Sequence, residues 1–264
     1  MRDQETVDRN IRVHRRLGAE YDELHGEIFN PIEQARLREK LKQAIAAITT
    51  DAPEKLALDY GCGTGNVTRH LADLGLRVTA ADVTEGFLRV VQHRYGPTGR
   101  VETLRVNGMD LSGVPDNRFD LVATYSVLHH VPHYLRIVEE FARVVRRGGV
   151  IYLDHEPQEV FWNRTPLYLE YLRRARALGW HWRDFWRKVR RFLVNFPHVL
   201  EGDVHVHADD HVEWDRIESL LAARECESVI KEDYLLYVGG YRQSAYEAYK
   251  EKCQDTRVLI ARKG

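Results

Sequence analysis

Short apolar runs alternate with longer segments of helical periodicity between residues 55 and 154. The apolar runs have the length of β-strands and read "KLALDY", "LRVTAAD", "VETLRVN", "FDLVATY" and "GVIYLD". The segments between them, such as "NVTRHLADL" and "HYLRIVEEFARVV", repeat apolar residues at helical spacing. Near-continuous apolar strands separated by helices predict an α/β fold, with a parallel sheet covered on both faces and joined by right-handed crossovers.

The two ends of the chain depart from this alternation. "PIEQARLREKLKQAIAAI" predicts a helix that begins at a proline, and "EWDRIESLLAARE" predicts another near the C-terminal end. Two more strands are expected near "SVIKEDYLLYV" and in "TRVLIAR". The pattern divides the chain into N-terminal helices (1–54), a core (55–157 and 208–264) and an insertion (158–207).

Composition narrows the function classes. The 264 residues suffice for one core with elaborations, or for two small domains. A formal net charge of −1 argues against a chain-wide nucleic-acid surface. No apolar run approaches the ~20 residues of a membrane span, and the polar start "MRDQETVDRN" does not resemble a secretory signal. Three widely separated cysteines predict no disulfide framework or zinc site, so we expect a reducing, cytoplasmic setting.

The stretch "LALDYGCGTGN" places three glycines between the expected end of the first strand and the start of the helix that follows it. Glycines at such a turn let the backbone approach a ligand closely. Asp82 closes the second strand, at about the distance along the chain at which an acid accepts both ribose hydroxyls of an adenosine ligand. The combination predicts an adenosine-binding site.

The spacing of the glycines distinguishes between a dinucleotide, a phosphate and an adenosyl ligand. From Gly61 the chain reads G-x-G-x-G with Asn66 at the sixth position, whereas a dinucleotide fingerprint has glycine there. No lysine follows, as a phosphate loop would require. The acidic Asp59 is unfavourable beside a pyrophosphate and favourable beside a cation. An adenosyl ligand with a sulfonium and an ammonium group fits these constraints.

"LDYGCGTGNVTRHLA" resembles motif I of the class I S-adenosylmethionine-dependent methyltransferases. The resemblance continues through "VTAADVT", "VNGMDL", "DNRFDLVATYSVLHHV" and "ARVVRRGGVIYLDHEP", covers residues 55 to 157 well and extends loosely to the C-terminal strands. It implies a doubly wound, seven-stranded, mostly parallel Rossmann-like sheet, with the last strand antiparallel between strands five and six. It also implies methyl transfer from S-adenosylmethionine to a small-molecule acceptor. Apart from the resemblance, the segment after strand five is expected to be a helical insertion.

The same resemblance implies the cofactor-binding residues. They are Tyr21, Asp59, Gly61, Cys62, Gly63, Gly65, Asp82, Val83, Asn107, Gly108, Met109 and Tyr125. The glycine turn would surround the methionyl part, Asp82 the ribose and Val83 the adenine. Asn107 stands where the family often has aspartate and would contact the adenine edge. Tyr21 belongs to a segment that either closes over the cofactor, as N-terminal helices do in the family, or simply packs.

Catalytic candidates follow the expected carboxyl ends of the strands, where ligands bind in such sheets. His155 and Glu156 are the best candidates for a general base, which is needed only if the acceptor stays protonated until attack. His130 in "LHHV" is either a base or structural. "HVHADDH" (205–211) nearly matches a binuclear metal motif but carries one residue too many, so we expect no metal and favour pocket lining or helix capping there.

The insertion holds four of the five tryptophans and many arginines. It is interpreted either as a helical cap with a solvated basic face or as a lid over a bulky apolar or anionic acceptor. Membrane-surface contact to reach a lipid or quinone, and RNA binding, also remain open. DNA is not expected, because "TYSVLHH" replaces the Asn/Asp-Pro-Pro-aromatic stretch of nucleic-acid amino-methyltransferases. The rival functions are a nicotinamide-dependent oxidoreductase and a cofactor-binding module without activity.

Overall fold

The structure is a computed structural model that describes residues 25–176 and 212–264. All five strands expected between residues 55 and 154 are present, and the two expected near the C-terminal end follow. The strands are β1 (Leu56–Tyr60), β2 (Arg77–Asp82), β3 (Val101–Arg105), β4 (Phe119–Tyr125), β5 (Val145–Pro157), β6 (Cys226–Tyr234) and β7 (Thr256–Lys263).

The seven strands form one sheet in the order β3-β2-β1-β4-β5-β7-β6. Strands β1 to β5 pair in parallel, and β7 runs antiparallel to both β5 and β6. This arrangement confirms the predicted sheet and the antiparallel last strand. The chain winds outward from β1 to β3 and then returns to place β4 on the other side of β1. The crevice at such a reversal of strand order is where open α/β sheets bind ligands.

Helices cover both faces of the sheet. They are α1 (Pro31–Ala46), α2 (Asn66–Asp73), α3 (Glu85–Tyr95), α4 (Tyr134–Val144), α5 (Glu159–Asn163), α6 (Pro166–Ala175), α7 (Trp214–Ala223) and α8 (Gln243–Tyr249). Helix α1 begins as the sequence predicts, because Asn30 Oδ1 accepts the backbone N–H of Glu33 at 2.9 Å and Pro31 occupies the first turn.

Successive side chains of a strand point to opposite faces of the sheet, so the strands contribute to two hydrophobic cores. On one face, Leu58 and Tyr60 of β1 pack in the same core as Ile137 of α4 and Ile217 of α7. On the other face, Ala57 packs in a core with residues of α1, α2 and α3. Helix α1 therefore lies on the α2–α3 side of the sheet.

The start of the insertion contains helices α5 and α6 and contributes to a third core. Tyr168 and Tyr171 of α6 pack with Leu235 and with Ala245 and Tyr249 of α8. The rest of the insertion (177–207) and residues 1–24 of the N-terminal segment lie outside the described residues, so the proposed domain boundaries stay predictions. Within the two described ranges, no helix combines the length and apolar composition that a membrane crossing requires.

Candidate active site

All three glycines of the loop after β1 have positive φ, and Gly61 and Gly63 differ in their surroundings. Gly61 has a φ of +73°, and a Cβ there would lie 2.4 Å from Cγ2 of Val127. Gly63 has a φ of +51°, yet a Cβ there would meet no heavy atom within 4 Å. Gly61 thus lets this loop press against the loop after β4, whereas Gly63 borders open space.

That open space is a cavity at the reversal of strand order, which we call the switch-point cavity. Its walls come from the carboxyl ends of β1 and β2 and from the segments that follow β1, β2, β3 and β4. The lining residues are Tyr60, Gly61, Gly63, Asp82, Val83, Phe87, Val106, Gly108, Ser126, Val127, His130, Val131 and Pro132. Six of these were predicted from the sequence, namely Gly61, Gly63, Asp82, Val83, Gly108 and His130.

Asp82 organises one wall of the switch-point cavity. Its side chain is buried, and its Oδ2 accepts the backbone N–H of Gly63 at 3.0 Å. Its Oδ1 accepts the N–H of Thr84, which precedes α3, at 2.7 Å. A carboxylate has about four lone-pair positions and can therefore accept several hydrogen bonds at once.

The opposite wall, residues 126–131, is held by Glu156. This side chain is fully buried, and its Oε1 accepts the backbone N–H groups of Val127 and Leu128, each at 2.8 Å. Its Oε2 lies 2.7 Å from Nδ1 of His129 and accepts the N–H of that residue at 3.3 Å. The prediction of Glu156 as general base is therefore corrected, because its lone pairs hold the loop after β4.

Comparison with known proteins agrees with this geometry. A family model described as a methyltransferase domain matches residues 58–153. This range contains most of β1, all of β2 to β4, most of β5 and the lining of the switch-point cavity. Residues 58–153 form a class I S-adenosylmethionine-dependent methyltransferase domain. The cofactor of this methyltransferase domain is S-adenosylmethionine.

Curated relatives share part of the chain. A demethylmenaquinone methyltransferase of Bacillus licheniformis is 36% identical over 121 residues, which cover 44% of this chain and 51% of that protein. A ubiquinone biosynthesis O-methyltransferase of Thiobacillus denitrificans is 32% identical over 110 residues, covering 40% of this chain and 47% of that protein. The chain thus spans about half the length of the curated relatives it matches.

Solved structures share the fold over more of the chain. A methyltransferase from Methanosarcina mazei matches with a TM-score of 0.52 and 21% identity, covering 80% of this chain and 93% of that one. A magnesium protoporphyrin IX methyltransferase from Synechocystis, solved with bound S-adenosylhomocysteine, matches with a TM-score of 0.54 and 14% identity. That match covers 89% of this chain and 88% of the other. At these identities the likeness establishes the fold.

The methyltransferase domain has residues that fit an adenosyl ligand. Gly63 borders open space, and Asp82 offers a buried carboxylate beside it. Asp59 lies just below the loop, where its Oδ2 accepts the hydroxyl of Thr68 at 2.5 Å. Burial raises the pKa of Asp59 to about 7. A nearby cation would lower that pKa, which is the electrostatic situation expected beside an ammonium group.

Several predicted residues lie outside the lining of the switch-point cavity. Cys62 is buried, and burial raises the pKa of its thiol, so a reactive thiolate is disfavoured. Gly65 precedes α2, where a Cβ would lie 2.5 Å from the ring of Tyr95. Tyr21 lies outside the described residues.

Asn107 has a local role in this structure. Its side chain is exposed, and its Oδ1 accepts the N–H groups of Met109 at 2.7 Å and Asp110 at 2.9 Å. Its Nδ2 donates to Asp110 Oδ1 at 2.9 Å. The side chain therefore forms the turn after β3, and in this conformation the predicted adenine contact is unavailable to it. Gly108 is the residue of this turn that reaches the cavity.

Tyr125 belongs to a buried polar network on the α1 side of the sheet. Its hydroxyl donates to Glu33 Oε1 at 2.8 Å, and Nε of Arg36 donates to Glu33 Oε2 at 2.9 Å. Arg36 also donates to Asp154 Oδ2 at 2.8 Å. The network joins α1 to the ends of β4 and β5.

His155 lies against this network. Its ring packs on that of Tyr125, with centroids 4.6 Å apart, and its backbone has a φ of +62°. Its Nε2 is buried without a hydrogen-bond partner in the described part of the chain. Burial lowers the pKa of this imidazole, despite the opposing carboxylates of Glu33 and Asp154. A neutral imidazole with a vacant nitrogen is a competent proton acceptor.

His130 lines the switch-point cavity, and its ring packs on His129 with centroids 4.0 Å apart. Because Glu156 holds His129, the position of His130 is also determined indirectly by Glu156.

Sequence reasoning missed seven residues of the cavity wall, most of them apolar or aromatic. The missed residues are Tyr60, Phe87, Val106, Ser126, Val127, Val131 and Pro132. All follow or end strands at the carboxyl edge of the sheet, or open the next helix. That position is the signal that could have identified them.

Proposed function

We propose that this chain transfers the methyl group of S-adenosylmethionine to a small-molecule acceptor that binds beyond the ends of β4 and β5. The observation that carries the proposal is the buried Asp82 carboxylate beside the open face of Gly63, in the crevice where the strand order reverses. The similarity to a demethylmenaquinone methyltransferase and to a ubiquinone biosynthesis O-methyltransferase supports a small-molecule acceptor.

Each wall of the switch-point cavity has a proposed role. Asp82 accepts hydrogen bonds from the ribose hydroxyls, and Val83 with the backbone at Gly108 borders the adenine. The backbone of the loop from Gly61 to Gly63 surrounds the methionyl part. Asp59 supplies negative charge below that loop for the ammonium group. Apolar neighbours such as Phe87 and Val106 exclude water from the adenosyl moiety.

Bound S-adenosylmethionine supplies an electrophilic methyl group on a cationic sulfur. The acceptor's nucleophilic atom forms a bond to the methyl carbon while the carbon–sulfur bond breaks, and the electron pair stays on sulfur. The protein mainly aligns the two molecules and excludes water, since the leaving group is already good. Where the acceptor atom carries a proton, His155 Nε2 takes it, because burial keeps this imidazole neutral.

Isothermal titration with S-adenosylhomocysteine and with NADH tests the cofactor part of the proposal. We expect saturable binding of one S-adenosylhomocysteine per chain and none of NADH. Binding of NADH instead would favour the nicotinamide oxidoreductase of related topology. Transfer of labelled methyl from S-adenosylmethionine to a panel of phenols, carboxylates and quinols then tests the acceptor class.

A further inference from the structure

A second cavity, of about 520 Å³, opens at the same edge of the sheet as the switch-point cavity. We call it the tyrosine cavity, because Tyr168, Tyr171 and Tyr241 line it. Its other walls come from the segment after β5, including Leu172, and from the connection between β6 and β7, including Asp255. Its volume falls within the ~300–1,000 Å³ of typical small-molecule sites.

The sheet places the tyrosine cavity close to the proposed methyl donor. Asp255 immediately precedes β7, whose first residue Thr256 pairs with Pro157 at the carboxyl end of β5. The N–H of Gln158 donates to the backbone oxygen of Asp255 at 2.8 Å. Since β5 alone separates β7 from β4, two strand spacings of about 4.8 Å each separate the strands that border the two cavities. An acceptor of ordinary length can bridge that distance.

Tyr171 supplies an unused polar group in the tyrosine cavity. The residue is only 1% exposed, and its hydroxyl has no hydrogen-bond partner in the described ranges. Its ring is fixed by the rings of Tyr168, Tyr241 and Tyr249, whose centroids lie about 6 Å away. A buried hydroxyl without a partner costs free energy, and a ligand oxygen would remove that cost.

The rim of the tyrosine cavity is positively charged. Arg164, Arg173 and Arg176 line it, are exposed, and form no ion pair within 4 Å with a described residue. The carboxylate of Asp255 opposes them, but it accepts the N–H of Leu236 at 2.8 Å and hydrogen bonds from two hydroxyls. Burial nevertheless raises the pKa of Asp255 to about 6. Three exposed arginines against this one buried carboxylate leave the opening with a net positive charge.

We propose that the tyrosine cavity binds the methyl acceptor, and that the acceptor is a ring-containing apolar molecule with one acidic group. Aromatic and aliphatic walls take the apolar body, the Tyr171 hydroxyl donates to a ligand oxygen, and Arg173 and Arg176 attract the acidic group. The assignment of this ligand as the acceptor rests on the proposed function.

Calorimetric titration with 2-naphthoate, against its neutral isostere 2-naphthamide, tests the proposal. We expect one naphthoate per chain, bound at least severalfold more tightly than naphthamide. The double variant Arg173→Gln/Arg176→Gln should weaken naphthoate binding roughly tenfold and leave naphthamide unchanged. Arg174→Gln is the matched control, because Arg174 lies on the same helix, pairs with Glu170 at 2.6 Å and does not line the cavity.

Tyr171→Phe tests the buried hydroxyl without enlarging the cavity. It should weaken naphthoate binding about five- to twentyfold without lowering the stability of the free protein. Unchanged naphthoate affinity in Tyr171→Phe would show that the Tyr171 hydroxyl does not donate to the ligand. Equal effects of the double variant and Arg174→Gln, or no saturable binding, would overturn the proposal.

Titration with S-adenosylhomocysteine distinguishes failure of the acceptor-cavity proposal from failure of the proposed methyl transfer. All these variants should retain its affinity, and naphthoate should bind equally well when it is present. Displacement of naphthoate by S-adenosylhomocysteine would overturn the separate acceptor cavity. If naphthoate binds as expected while S-adenosylhomocysteine does not bind at all, the proposed methyl transfer fails and the anion site remains.

Discussion

The carboxylate of Glu156 accepts the backbone N–H of Val127 at 2.8 Å and thereby joins the end of β5 to the loop after β4. That loop forms one wall of the switch-point cavity, through Ser126, Val127 and His130. A residue with the chemistry of a general base therefore acts as an anchor. Glu156 thereby fixes the shape of this wall of the switch-point cavity.

Glu156→Gln is expected to lower the free energy of unfolding by about 3 kcal/mol, because a buried acceptor of several N–H bonds loses its charge. Binding of S-adenosylhomocysteine should weaken roughly tenfold as the loop loses its position. Urea denaturation and calorimetry measure the two effects. Glu159→Gln, at an exposed position three residues later, is the control and should change neither quantity. Wild-type stability and affinity in Glu156→Gln would contradict the anchoring role.

The unfolding free energies of Gly61→Ala and Gly63→Ala distinguish the cost of a steric contact from the cost of backbone strain. Both positions have positive φ, which costs an alanine roughly 1 kcal/mol. Only at Gly61 does the new Cβ meet Val127, so Gly61→Ala should cost about 1–3 kcal/mol more in unfolding free energy. Adding Val127→Ala to Gly61→Ala should recover most of that difference. Equal costs of the two single variants, or no recovery in the double variant, would show that the two loops do not press together.

The sheet and the glycine loop could be predicted because they depend on short-range patterns. Apolar runs of strand length and a glycine turn are visible within a few residues of sequence. The roles of His155 and Glu156 could not be separated in this way, although they are neighbours. Their partners, Tyr125 for the one and Val127 for the other, lie about thirty residues away and meet them only in the folded sheet. Asn107 was misjudged because its short side chain bonds its own turn.

Asp82→Ala should weaken S-adenosylhomocysteine binding by roughly 10–100-fold, because hydrogen bonds from the ribose to a charged acceptor are lost and partly replaced by water. The variant also loses the acceptor of the Gly63 N–H, so part of this effect comes from the glycine loop. Asp73→Asn, an exposed acid at the end of α2, is the control. Calorimetry on folded variants measures the affinities. Unchanged affinity in Asp82→Ala would reject the ribose contact.

The raised pKa of Asp59, about 7, predicts pH-dependent cofactor binding. An ammonium group nearby favours the ionised carboxylate, so binding releases a proton wherever Asp59 is protonated in the free protein. S-adenosylhomocysteine should therefore bind more tightly as pH rises from 5 to 7.5, and Asp59→Asn should flatten this dependence. 5′-Methylthioadenosine lacks the ammonium group and should show no such dependence with either protein. If the affinities of both ligands changed equally with pH, the ammonium group would not lie beside Asp59.

The lowered pKa of His155 predicts how stability responds to acid. Because the folded-state pKa lies below the unfolded value of about 6.5, the unfolded chain takes up the proton first as pH falls. The contribution of His155 to stability is therefore complete above pH 6.5 and decreases below it. His155→Asn removes the imidazole and tolerates the left-handed backbone, since asparagine adopts positive φ more readily than most residues. Between pH 7.5 and 5, wild type should lose more unfolding free energy than this variant, as measured by urea denaturation. Parallel curves would mean that folding leaves the pKa of His155 unchanged. A smaller loss in wild type than in the variant would mean that Glu33 and Asp154 stabilise the imidazolium, and the neutral base proposed for methyl transfer would then be wrong.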